Sequence, residues 1–144
     1  TYHYYLRTFA EKHDLTDRVR FLGHLSPEEM KRQYLSANVF ALPSTIENSP
    51  NSLGEAMLLG VPCVAADVGG VADMLEDRRE GLVYQSTAPY MLAQKILDIF
   101  DLAEQAEALG QAARAHARRT HDPEGNLSQL LSIYQELCRE EAHG

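Results

Sequence analysis

Apolar residues recur along this chain in two rhythms, helically spaced stretches and short unbroken runs. In Tyr2–His13 the side chains of Tyr5, Leu6 and Phe9 fall on one side, which predicts an amphipathic helix. Arg18–Leu22, RVRFL, reads as a short strand that ends at Gly23. In SPEEM, Ser26 suits an N-cap, Pro27 the first helical position and Glu29 the reciprocal place of a capping box. That helix is expected to run to about Ser36.

Asn38–Pro43, NVFALP, is nearly all apolar and closed by proline, as expected of a strand covered on both faces. A helix follows ENSPNSLGE and is stopped by Gly60 and Pro62. Pro62–Ala66 is another short buried strand, Val71–Leu75 a brief helix and Gly81–Tyr84 a further strand. Beyond Ala88 the pattern is helical throughout. Pro89–Phe100 and Ala103–Arg119 form two helices, and a third opens at Asp122-Pro123-Glu124 and runs to about Arg139.

Strands and helices alternating through short loops indicate an α/β fold. The expected architecture is a Rossmann-like parallel sheet with helices on both faces, followed by a helical C-terminal section. In such sheets ligands bind at the C-terminal ends of the strands. Gly23-His24, Ser44–Ser52 and Asp67–Gly70 each follow an expected strand and are candidates for that edge.

Composition narrows the function. The chain has 144 residues, 44% of them hydrophobic, enough for one domain with its own core. With 13 basic and 21 acidic residues its formal charge is −8, which argues against nucleic acid as a partner. A small anionic ligand would be held by local N–H groups and helix ends. Cys63 and Cys138 show no metal-ligand spacing, and the histidines form no metal motif, so reduced thiols and a metal-free cytoplasmic protein are expected. The chain opens on Thr1 inside a helix, which points to a piece of a longer protein.

The segment ENSPNSLGE carries the chemistry. Glu47 and Glu55 flank a Ser-Pro-Asn-Ser turn and a helix start. One reading makes Glu55 the partner of Ser52 in a capping box and Glu47 a solvated loop acid. The other notes that Gly54 in a first helical turn costs about 1 kcal/mol against alanine, so close approach of a backbone or ligand would explain it. Free N–H groups at a helix start suit a phosphate, and carboxylates suit paired sugar hydroxyls.

The run PSTIENSPNSLGEAMLLGVP, residues 43–62, resembles the signature of GT-B retaining glycosyltransferases of the family 4 type. RVRFLGHLSPEEM before it, CVAADVGGVADML and EGLVY after it, and the closing EGNLSQLLSIYQEL extend the resemblance over nearly the whole chain. It implies the C-terminal half of a GT-B fold, binding a nucleoside diphosphate sugar, UDP or GDP, with no further cofactor. Glu47, the catalytic residue on this reading, would contact hydroxyls of the transferred sugar, and Glu55 the ribose hydroxyls. Ser49, Pro50, Asn51, Ser52 and Leu53 would face sugar and diphosphate. Gly23 and His24 would lie near the base, while Val68, Gly69 and Gly70 would line the pocket floor.

Many members carry Gly-Phe-Gly where this chain has Asn48-Ser49-Pro50, and Pro50 lacks an N–H. The resemblance also implies a partner domain on the N-terminal side, an Arg and a Lys upstream that neutralise the diphosphate, and a sugar, lipid or protein acceptor. Membrane association of the full-length protein would fit such an acceptor. A nucleotide-sugar epimerase of the same architecture and a non-catalytic binding module are the alternatives. Outside the signature, His24 also reads as a solvent-facing loop histidine, Asp73 as a helix-start charge, and Arg114, Arg118 and Arg119 as a basic helical patch.

Overall fold

A computed structural model describes residues 1–141, with side chains through residue 139. The chain forms two compact units, Thr1–Arg32 and a second that begins at Gln33.

In the first unit, helix α1 spans Tyr2–Lys12 and ends where Asp14 takes a left-handed turn, φ +55°. Phe21 packs edge-on against His3, with ring centroids 5.1 Å apart, and lies under the Arg7 guanidinium. The strand expected at Arg18–Leu22 is absent. The amides of Arg18 and Val19 turn back to the Leu15 carbonyl at 2.9 and 3.0 Å, and the segment joins no ladder. A strand-like run becomes a strand only when a neighbour supplies donors and acceptors, and here the Arg18 and Val19 amides are satisfied locally.

Helix α2, Pro27–Ser36, begins in the first unit and ends in the second. Its capping box forms as expected. Glu29 Oε2 accepts from the Ser26 amide at 2.9 Å and its hydroxyl at 2.8 Å, and the Glu29 amide donates to Ser26 Oγ at 3.4 Å.

The second unit holds a parallel sheet of three strands in the order β1 (Phe40–Leu42), β2 (Cys63–Ala66), β3 (Leu82–Tyr84). The crossovers carry α3 (Asn51–Leu59) and α4 (Val71–Met74). After β3 come α5 (Pro89–Asp101), α6 (Ala103–Thr120) and α7 (Pro123–Glu141), the last capped by Asp122, which accepts from the Glu124 and Gly125 amides. Among the described residues no helix is long and apolar enough to cross a membrane.

Register explains the core. Val64 pairs with Leu82 and Ala66 with Tyr84, so their side chains share a face. Ile99 of α5 and Ala106 and Leu109 of α6 close over that face. On the other parity Phe40 pairs with Cys63 and Leu42 with Ala65, and the Tyr34 ring meets Phe40 edge-on at 5.6 Å. Both cysteines are free thiols, and burial pushes the Cys63 thiol up to about 12.

Helix α6 braces α3. Gly60 ends α3 in the left-handed region, φ +75°, and its carbonyl lies so close to Gly110 of α6 that a β-carbon there would collide with it. At the opposite end, His121 after α6 approaches Gly54. The two helices therefore run antiparallel.

Candidate functional site

Helix α3 starts at Asn51, with Pro50 as its N-cap. Pro50 is buried and offers only its carbonyl, which accepts from the Leu53 and Gly54 amides at 3.0 and 3.3 Å. No side chain caps the helix. The N–H groups of Asn51 and Ser52 thus have no acceptor among the described residues, at the positive end of the helix dipole.

This start also decides between the two readings of Glu55. Ser52 lies inside the helix, so no Ser52–Glu55 capping box forms. Glu55 instead projects from the first turns as an exposed carboxylate. Its Oε2 accepts from the Tyr34 hydroxyl at 3.1 Å, and that hydroxyl also lies 3.3 Å from the Ser52 carbonyl. Burial first, then the hydrogen bond to Glu55 and its negative charge, push the Tyr34 hydroxyl up to about 12. It is a donor at any physiological pH.

Gly54 corrects an expectation. The space beside it is filled by the His121 imidazole, whose Nε2 would stand 2.8 Å from a β-carbon at that position. The glycine makes room for a side chain of the same unit, and its packing needs no ligand.

The loop from β1 to α3 carries Glu47, half-buried and without a hydrogen bond or ion pair among the described residues. Its backbone is held by the turn after β2. Gly70 N–H donates to the Asn48 carbonyl at 3.0 Å. A β-carbon on Gly69 would run into the Glu47 carbonyl, and one on Gly70 into the Asn48 carbonyl. Gly69 sits at φ +51°, a region that favours glycine. Ser49 Oγ meets Met74 Sδ at 3.8 Å and ties the same loop to α4.

The structure therefore brings together Glu47, Ser49, Pro50, Asn51, Ser52, Glu55, Gly69 and Gly70 along one edge of the sheet, with Leu53 fully buried beneath as a support for α3. Gly23, at φ +69° in open space, and the exposed His24 belong to the first unit and are not among the residues whose contacts build this edge. The edge is open. Hollows of about 230 Å³, against Leu82, Ile99 and Leu109, and about 610 Å³, against Asp67, Glu76 and Tyr84, include neither Glu47 nor Glu55. Among the described residues no group of three His, Cys, Asp or Glu side chains could hold a metal ion.

A third acid, in the connection before β3, is one that the pattern does not reveal. Glu80 is only 6% exposed, and its Oε2 lies 2.7 Å from His116 Nδ1 and 3.0 Å from the Glu76 amide. Burial acts to raise its carboxyl, but the His116 and Glu76 hydrogen bonds together hold it below the ordinary value. The pair joins the α4–β3 connection to α6.

The chain is 32% identical over 96% of its length to D-inositol 3-phosphate glycosyltransferase of Corynebacterium efficiens, and covers 32% of that protein. It thus spans about a third of such relatives. Sucrose-phosphate synthase from Thermosynechococcus elongatus superposes with a TM-score of 0.85 at 28% identity, over 92% of this chain and 33% of the other. The Anabaena protein HepE, solved in complex with UDP, superposes with a TM-score of 0.83 at 24% identity, over 92% and 37% of the two chains. Residues 1–116 match the family described as Glycosyl transferases group 1, and the chain belongs to that family.

Proposed function

We propose that this chain is the donor-binding, C-terminal domain of a retaining glycosyltransferase, which moves a sugar from a nucleoside diphosphate sugar to an acceptor with its anomeric configuration kept. The observation that carries this is the uncapped start of α3, where the Asn51 and Ser52 N–H groups have no acceptor, and the two flanking carboxylates no basic partner, among the described residues. The helix start suits a diphosphate, and carboxylates suit hydroxyls. Bound UDP in HepE supports the nucleotide part of the reading.

In this scheme Glu55 accepts from the ribose and Glu47 from the transferred sugar. Departure of the nucleoside diphosphate concentrates negative charge, and the α3 dipole and its two free N–H groups stabilise it. Ser49, Gly69 and Gly70 fix the loop that carries Glu47. An Arg and a Lys upstream would complete diphosphate binding, and a partner domain on the N-terminal side would hold the acceptor, a sugar, lipid or protein.

Calorimetric titration separates the two carboxylates. Glu55→Ala is expected to weaken UDP and UDP-sugar alike by about tenfold, about 1.4 kcal/mol. Glu47→Ala is expected to leave UDP affinity unchanged and to remove whatever affinity the sugar adds. Wild-type affinities for both ligands in both variants would refute the assignment.

A further inference from the structure

The Tyr34 hydroxyl is the group that fixes where Glu55 points. Tyr34 is 6% exposed and its ring is locked edge-on against Phe40, so the hydroxyl is delivered from a rigid base. Glu55 by contrast is exposed, and no other described residue bonds its carboxylate. A free glutamate side chain samples several rotamers, and restricting it before the ligand arrives removes that entropy from the binding step. The same hydroxyl lies 3.3 Å from the Ser52 carbonyl, so Tyr34 ties the carboxylate to the first turn of α3, next to the free Asn51 and Ser52 N–H groups. With Oε2 occupied, Oε1 of the exposed Glu55 has no protein partner among the described residues.

We infer that Tyr34 is a positioning residue for ribose recognition: it orients Glu55 so that the carboxylate distinguishes a ribonucleotide from its deoxy analogue. The inference rests on the donor-site reading given above. A carboxylate in a fixed rotamer rewards a hydroxyl at one place, whereas a mobile one can follow the solvent when that hydroxyl is missing. Tyr34 touches no ligand itself and acts only through Glu55 and the α3 backbone.

The test compares UDP with 2′,3′-dideoxy-UDP by calorimetry on the full chain, in the wild type, Tyr34→Phe, Glu55→Ala and the double variant. Tyr34→Phe keeps the ring and its contact with Phe40, and an unchanged denaturant midpoint verifies the fold. The wild type is expected to prefer UDP by at least about tenfold. Tyr34→Phe should reduce that preference to below roughly threefold, and should change nothing further in the Glu55→Ala background. If the wild type discriminates and Tyr34→Phe discriminates equally well, Tyr34 has no positioning role while the Glu55 assignment stands. An equal loss from Tyr34→Phe with and without Glu55 overturns the proposal in the same way, since a general packing effect would act in both backgrounds. If the wild type does not discriminate, the ribose assignment of Glu55 fails, and the role of Tyr34 with it.

Discussion

Gly69→Ala is expected to destabilise the chain by about 3 kcal/mol and to abolish the affinity contributed by the donor's sugar. The cost has two parts. An alanine at φ +51° loses about 1 kcal/mol relative to glycine. Its β-carbon would also collide with the Glu47 carbonyl, and forcing such an overlap apart costs about 1–3 kcal/mol. The neighbour is backbone, so no rotamer change relieves it, and the loop that carries Glu47 must move. Gly23→Ala is the control. It shares the left-handed conformation, φ +69°, but has nothing within 4 Å, so only the conformational cost of about 1 kcal/mol applies. Urea unfolding of the two variants measures the difference, and equal costs would show that the contact with Glu47 is not maintained in solution.

Glu80→Gln is expected to cost about 2 kcal/mol near neutral pH, the usual loss for a buried hydrogen bond to a charged group. The substitution keeps the shape but removes the charge that the Glu76 amide and His116 face. The pH dependence has a definite sign. The carboxyl of Glu80 in the folded chain lies below its ordinary value of 4.5. Its contribution is therefore fully present above 4.5 and is lost as pH falls through the lower folded value. The stability gap between wild type and Glu80→Gln should be widest at neutral pH and close in acid. A gap that is constant down to the acid limit would mean that the carboxylate is not held as the structure shows. Because the pair braces α6, the loss should reach α3 through the Gly60–Gly110 contact, as faster amide exchange in both helices.

Both predictions concern contacts that no local pattern announces, which marks the limit of what the sequence makes legible. Helix starts were readable because their chemistry is local: Ser26 with Glu29, and Asp122 with the amides that follow it. The strands Phe40–Leu42, Cys63–Ala66 and Leu82–Tyr84 are readable as short apolar runs with a proline or glycine at one end. Arg18–Leu22 looked equally good and failed, since pairing depends on a neighbour rather than on the run itself. Glu47 and Glu55 stood out because they flank a helix start, but where that helix begins had to come from the fold. Pro50 rather than Ser52 is its N-cap, and this removes the capping-box reading of Glu55. Tyr34 lies 21 positions from Glu55, and Glu80 lies 36 from His116, so no periodicity links them. Gly54 shows the converse hazard. A glycine that suggested a ligand is explained by His121, supplied from the far end of α6.

The central claim is that a nucleoside diphosphate sits on the start of α3 between Glu47 and Glu55. Amide NMR titration of the chain with UDP, GDP and ADP, repeated on Glu55→Ala, tests it most directly. Saturable shifts are expected in residues 47–56 and at Gly69 and Gly70, with their loss in the variant. Shifts that centre instead on Leu82, Ile99 and Leu109, or that persist unchanged in Glu55→Ala, would contradict it.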